Sequence, residues 1–200
     1  MVYRTQKQVA ISSLFCYTLS RGKHIFYMHN LIVLCGPVGS GKSTTINKIT
    51  NLHSHIAAAD VFKYIQKYKD AEGHIAHENT LKAYRELYQD LEKINKDVIL
   101  EIGVNNEEFN LHSINNLKQK FKIKIIFCLL DKEICIQRVM ERGKQDKTRI
   151  IHPEDLEAKF RKPFPDNHLK LAKDLQIPFT HLDMSKPPEE ILEFISTQFS

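Results

Sequence analysis

Leu31-Ile-Val-Leu-Cys-Gly36-Pro-Val-Gly-Ser-Gly-Lys42-Ser43-Thr44 is the stretch on which the reading of the fold turns. Residues Gly36–Ser43 match G-x-x-x-x-G-K-[ST], and the five apolar residues before them read as a buried strand. The residues after them, from Thr44 to Thr50, read as a helix. Strand, glycine-rich loop and helix together are the setting of a phosphate-binding loop. Gly36, Gly39 and Gly41 lack a Cβ, so positive φ and a tight fold are open to the backbone. Successive N–H groups, with those of Val38, Ser40 and Thr44, then point at an anionic guest, and the helix beginning near Lys42 adds its positive end. Lys42 is expected to place a mobile cation on the β- and γ-phosphates. Ser43 is expected to offer its hydroxyl to Mg²⁺, a cation that favours oxygen ligands. A nucleoside triphosphate, ATP, is the guest this predicts.

Working outward, strands and helices alternate. Strands are expected at about 30–35, 55–59, 98–101, 123–130 and 179–182. Helices are expected at 42–52, 61–68, 76–95, 107–120, 131–142, 165–175 and 188–199, with a short one starting at Pro153. Helical crossovers between strands mean a parallel sheet with helices on both faces, an α/β three-layer fold. No repeat or linker divides 29–200, which reads as one domain.

Residues 1–28 carry Arg4, Lys7, Arg21 and Lys23, and no acid precedes Asp60. Three readings of this segment stand side by side: an upstream extension before an alternative start at Met28, an organellar targeting segment, or an added element packed on the domain. Its four bases account for most of the excess of 29 Lys and Arg over 24 Asp and Glu. The remainder is near neutral, so the basic balance does not argue for nucleic-acid binding by the whole surface. No apolar run is long enough to span a membrane. Cys16, Cys35, Cys128 and Cys135 form no C-x-x-C pair, and a zinc site is not expected. Cys35, Cys128 and Cys135 read as small buried residues of a reducing, cytoplasmic compartment. His53, His55, His74 and His77 lack a ligand spacing and read as surface or packing residues.

Ligands of open parallel sheets sit at the carboxyl ends of the strands, so acids there are candidates. Asp60 ends strand two and is placed to orient or deprotonate an acceptor hydroxyl, or to cap the helix that follows. Glu101 ends the apolar run Val98-Ile-Leu, the shape of a Walker B strand, and is read as an Mg²⁺ holder or as the base. Asp131, with Glu133 behind it, reads as a cap and first-turn acid. Arg138 and Arg142 share a helix face, and Gly143 is expected to end that helix. The polar stretch 143–151 reads as a lid, whose closure excludes water and brings arginines onto the triphosphate. Leu182–Pro188 reads either as a purine contact or as a plain turn with Asp183 or Ser185 as cap.

With these residues in hand, the chain resembles the P-loop kinases of the adenylate kinase, shikimate/gluconate kinase, polynucleotide kinase and zeta-toxin-like group. The matching pieces are Gly36–Thr44, Asp60, Val98–Glu101, Gln137–Arg142 and Leu182–Glu190, spread over about 29–200. The resemblance implies a five-stranded sheet of order 2-3-1-4-5 and a mobile lid, with Arg138 stacked on adenine and Arg142 on phosphate. It implies an ATP- and Mg²⁺-dependent phosphotransferase with Lys42, Asp60, Glu101 and Arg142 in catalysis. The acceptor stays open, because Glu101 is followed by Ile-Gly and by no substrate motif; a nucleic acid enters only as a substrate end. Lys82 and Arg85 are expected on one wall of the acceptor site. Two other readings stand beside this one. One is an NTP-binding switch or assembly factor, against which the chain lacks a guanine-specificity N-K-x-D. The other is a nucleotide-binding domain without activity.

Overall fold

The structure is a computed structural model, and it describes residues 28–70, 75–145, 156–157, 159–160 and 163–199. Five strands, β1 (His29–Cys35), β2 (Ala57–Asp60), β3 (Val98–Ile102), β4 (Phe121–Leu129) and β5 (Phe179–Asp183), form one sheet in the order β2-β3-β1-β4-β5. Every pairing is parallel. The helices between them are α1 (Lys42–Leu52), α2 (Val61–Ile65), α3 (His77–Leu91), α4 (Glu107–Asn116), α5 (Lys132–Gln145), α6 (Asp166–Asp174) and α7 (Pro188–Ser196).

Strand parity divides the core into two layers. Leu31, Val33 and Cys35 of β1 join Val98, Leu100, Ile125 and Phe127 in one cluster, with Tyr84, Leu87, Tyr88 and Leu91 of α3 and Leu111 and Ile114 of α4. Ile32 and Leu34 turn to the other face, against Ile46 and Ile49 of α1 and Ile191 and Ile195 of α7. Because the sheet is covered on both faces, its central strands are apolar throughout and show no alternation. Each fully buried Leu or Ile contributes about 1.5–3 kcal/mol.

Among the element ends that differ from the sequence reading, three are informative. β2 starts at Ala57 because Ile56 N–H donates to the His53 carbonyl at 3.0 Å, a turn that uses up residues 53–56. α3 stops at Leu91, and Lys93 and Ile94 donate to Asp90 and Leu91 in tightened turns. Gly143 does not end α5, which runs on to Gln145. A glycine terminates a helix by adopting positive φ, and Gly143 is not among the glycines that do so. The start expected at Pro153 lies outside the described residues, although 156, 157 and 159 are helical; the readings of residues 1–27 and most of the lid stretch also lie outside them. Among the described residues, no helix is long and apolar enough to cross a membrane.

Candidate functional site

The loop between β1 and α1 is held by its neighbours as much as by its own conformation. Gly39 and Gly41 take φ of 85° and 97°, in the left-handed region. Gly36 does not; a Cβ there would lie 2.7 Å from the Cys128 carbonyl of β4, so close approach is what requires glycine. A Cβ on Gly39 would meet the Cys135 carbonyl at 2.4 Å. The loop is thus wedged between the end of β4 and the first turns of α5. No side chain caps α1 and no acid stands in its first turn, so no side chain of the helix start competes for its leading N–H groups.

Lys42, expected as a mobile cation, is only 4% exposed. Its Nζ donates to the carbonyls of Gly36 at 2.9 Å and Pro37 at 2.8 Å, and to Ser40 Oγ at 3.3 Å. Ser40, itself fully buried, donates to the Pro37 carbonyl. Glu101 at the end of β3 joins the two ends of the motif. It accepts from Ser43 Oγ at 2.6 Å, and its other oxygen lies 3.6 Å from Lys42 Nζ. The sheet makes this meeting: Leu34 of β1 is in register with Glu101 of β3.

Asp60 is the register partner of Glu101 on the far side of β3, so the two carboxylates end adjacent strands. Its Oδ1 accepts from Phe62 N–H at 2.8 Å and caps α2, as one of the two sequence readings has it. Asp131 accepts from Glu133 N–H at 2.9 Å and Ile134 N–H at 3.3 Å, the capping role read for it. Asp183 binds Ser185 through N–H and hydroxyl, which holds its carboxyl below the usual range. Neither residue caps α7, which starts at Pro188 without a side-chain cap.

Arg138 reaches the loop, its Nη1 3.8 Å from where a Cβ on Gly41 would stand, with Met184 Cε at 3.5 Å. Arg142 Nε is buried and has no hydrogen-bond partner among the described residues. Arg85 lies over the Phe109 ring at 5.7 Å, while Lys82 bonds within its own helix to Asn79. Beneath the end of β3 lies a network that the sequence did not announce. Tyr88 donates to Asn110 Oδ1 at 3.0 Å, and Asn110 Nδ2 donates to the Asn105 carbonyl at 3.2 Å. The Tyr84 hydroxyl meets Asn110 and the Gly103 backbone, and burial raises its pKa to about 12. Asn110 is fully buried, yet a lone Asn on a helix ordinarily reads as a surface residue.

Burial likewise pushes the Cys128 thiol up to about 12, and with Cys35 and Cys135 it is a free, buried thiol. His53 pairs with Ser196 Oγ at 3.2 Å, and His74 lies outside the described residues.

A parallel sheet of order 2-3-1-4-5, with a glycine-rich loop and its lysine at the mouth of the central strand, defines the P-loop kinase-like nucleotide-binding fold. The chain belongs to the AAA domain family, which matches residues 31–164. Among solved structures it is similar to a candidate kinase from Chloroflexus aurantiacus, with a TM-score of 0.63 and 16% identity over 86% of this chain and 100% of that one. A gluconokinase from Sinorhizobium meliloti gives a TM-score of 0.55 and 12% identity over 83% of this chain and 89% of that one. For shikimate kinase from Acinetobacter baumannii the values are 0.54 and 19%, over 86% and 96%. At such identities the likeness speaks to the fold. No curated protein matches this sequence.

Proposed function

We propose that the chain is an ATP-dependent phosphotransferase. It moves the γ-phosphoryl group to a hydroxyl or phosphate of a small metabolite, nucleotide or nucleic-acid end, in the cytoplasm. The observation that carries this reading is the row of groups across three adjacent strand ends: Lys42 and Ser43 after β1, Glu101 on β3, Asp60 on β2.

Each group has a task that its position suits. The loop amides and the start of α1 bind the triphosphate tail. Lys42 exchanges the Gly36 and Pro37 carbonyls for phosphate oxygens, so the cation is already at the seat before it is needed. Ser43 Oγ and Glu101 Oε2, 2.6 Å apart, are hard oxygen donors of the kind Mg²⁺ takes, and these two residues would hold it. When bound, the ion neutralises charge on the phosphates. Magnesium needs few protein ligands, so the lack of a cluster of three acids, His or Cys among the described residues is no obstacle. Asp60 takes the proton of the acceptor hydroxyl through Oδ2, its Oδ1 being engaged in the cap. The acceptor oxygen then bonds to the γ-phosphorus, the bond to the β–γ bridging oxygen breaks, and ADP leaves. Arg138 and Arg142 on α5 flank the nucleotide, where guanidinium groups stabilise charge spread over the transferring oxygens.

The test uses γ-labelled ATP with Mg²⁺ and a panel of metabolites, nucleotides and 5′-hydroxyl oligonucleotides. Label passes to an acceptor with the unaltered chain. Asp60→Asn keeps ATP binding and loses transfer by about 10²-fold or more, the usual scale of general-base catalysis. Asn also caps helices well, so this variant keeps its stability. Lys42→Ala loses ATP binding itself. Turnover that is indifferent to every acceptor and to Asp60→Asn would instead mark a nucleotide switch.

A further inference from the structure

Four lysines stand at alternate positions in Leu117-Lys-Gln-Lys-Phe-Lys-Ile-Lys124, and no acid occurs between Glu108 and Asp131. The structure gathers these lysines at the end of the sheet where the strands begin. Lys118 lies in the helical turn Leu117–Gln119, Lys120 just after it, and Lys122 and Lys124 in the first four residues of β4. Lys118 Nζ donates to the carbonyls of Leu175 at 2.6 Å and Gln176 at 3.2 Å, behind α6. Lys120 donates to the Glu92 carbonyl behind α3, and Lys124 to Gln198 Oε1 behind α7. Lys122 is exposed and in register with Asn30 of β1. Lys96, also exposed, stands two residues before β3 at the same end. Helices α3 and α6 pack on one face of the sheet and α7 on the other. The lysines therefore form a row that crosses the edge of the sheet from one helical layer to the other.

The row keeps its charge. The acceptors that hold it are neutral: three main-chain carbonyls and one amide. Among the described residues, none of these five lysines forms an ion pair. Lys93 pairs with Asp90 and Lys173 adjoins Asp174, which leaves Glu92 and Asp97 as nearby acids. Asp97 Oδ1 is itself engaged by Asn30 N–H at 2.7 Å. Helix dipoles account for Lys118 and Lys120 at carbonyl ends, but not for Lys96 and Lys122. The near-neutral balance of the domain thus conceals a separation of charge. Asp60, Glu101, Asp131 and Asp183 sit at or just after the strand ends, and the lysines sit at the strand starts. Residues 1–28, with four bases and no acid, join β1 at this same end. About 20 Å of strand separates the row from the phosphate loop, so phosphoryl transfer makes no use of it.

We propose that this row is a docking surface for a nucleic-acid strand, held through its phosphates and separate from the phosphate loop. A line of fixed cations fits a linear polyanion, whose binding is driven by the release of counterions. An anionic bilayer asks instead for a plane with apolar side chains in it. None of the large exposed apolar residues, Leu52, Phe62, Ile134 and Met140, belongs to the row. Contacts to phosphate carry no base information, so the surface is indifferent to sequence. It stands whether or not the chain transfers a phosphoryl group.

The test is fluorescence anisotropy of a labelled single-stranded oligonucleotide, blocked at both ends so that it cannot accept phosphate, titrated with the full chain. Binding is expected at low salt, unchanged by saturating ATP with Mg²⁺. Lys96→Gln combined with Lys122→Gln lowers the slope of log K against log salt by about 0.7 per lysine, and weakens binding at about 0.1 M salt by roughly tenfold or more. Both positions are exposed, so the melting temperature stays within about 2 °C. Lys48→Gln, which alters an exposed lysine of α1 outside the row, leaves affinity and slope unchanged. Competition by ATP would put the strand on the phosphate loop, and equal affinity in the doubly substituted chain would put it elsewhere; either result overturns the proposal. Absence of binding at low salt overturns it too. Capture of the chain by vesicles of phosphatidylserine and phosphatidylcholine, without binding of the oligonucleotide, would mark a membrane surface and overturn it as well.

Discussion

At the scale of single residues, the phosphate loop shows that glycines of one motif are fixed by different forces. Gly41 is required by its φ of 97°, Gly36 by the Cys128 carbonyl, and Gly39 by both φ and the Cys135 carbonyl. Gly39→Ala combines a left-handed penalty of about 1–2 kcal/mol with a clash against main chain, which cannot rotate away. The expected outcome is a loss of at least about 2 kcal/mol in urea unfolding, together with weaker ATP binding, because relief of the clash moves α5 off the loop. An Ala at Gly103, where no atom comes within 4 Å of an added Cβ, should be tolerated, and the contrast between the two substitutions separates a glycine needed by the fold from one left open. The sequence revealed that a glycine-rich loop was present, since the spacing to Lys42 is fixed by chain geometry. It did not reveal which glycine answers to which force, because the opposing carbonyls come from residues 128 and 135, about ninety positions away.

At the scale of elements, strand ends were legible where an apolar run met an acid. Val98–Glu101 and the approach to Asp60 both showed this change of character. Helix ends were less so. Gly143 carries the local signal of a stop, yet α5 passes through it to Gln145. The seam between α2 with its following turn and α3 was likewise hidden, because its partners lie 18 to 26 residues apart. Tyr68 and Lys67 both donate to Glu86, and Tyr64 donates to Asp90 at 2.9 Å. The Tyr68 hydroxyl and then Lys67 hold the Glu86 carboxyl below the usual carboxylate range. Lys93 and Tyr64 do the same for Asp90. A depressed carboxyl contributes stability that is present above its unfolded pKa and lost as pH falls through the folded one. Acidification below the ordinary range of Glu should therefore loosen this seam. Glu86→Gln is expected to lower the melting temperature at pH 7, and the gap to the unaltered chain is expected to close as the pH drops below about 4. A gap that stays constant with pH would show that the carboxylate charge has no part in the seam.

At the scale of the whole molecule, sheet order is what turns three scattered residues into one site. Lys42, Asp60 and Glu101 are separated by eighteen and forty-one positions, and only the order β2-β3-β1 puts them in a row. The alternation of strands and helices predicts a parallel sheet but is silent on that order, which came from resemblance to P-loop kinases and agrees with the structure. A consequence follows for stability. The seat is made from β1, β3, β4, α1 and α5 together, so a guest bound there ties both core layers to one another. Binding to the folded state alone stabilises by RT ln(1 + [L]/Kd), about 2.7 kcal/mol at a hundredfold excess over Kd. For a chain of this size each kcal/mol shifts the midpoint by roughly 2–4 °C. ATP with Mg²⁺ at that excess should thus raise the melting temperature by about 5–11 °C. Lys42→Ala should abolish the shift while keeping a cooperative transition, and Ser43→Ala should remove the part that depends on Mg²⁺. Asp60→Asn should retain the full shift, because in the proposed function its carboxylate serves the acceptor and not the triphosphate. A shift that survives Lys42→Ala would place the nucleotide elsewhere than on the loop, and the row of strand ends would lose its meaning as a site.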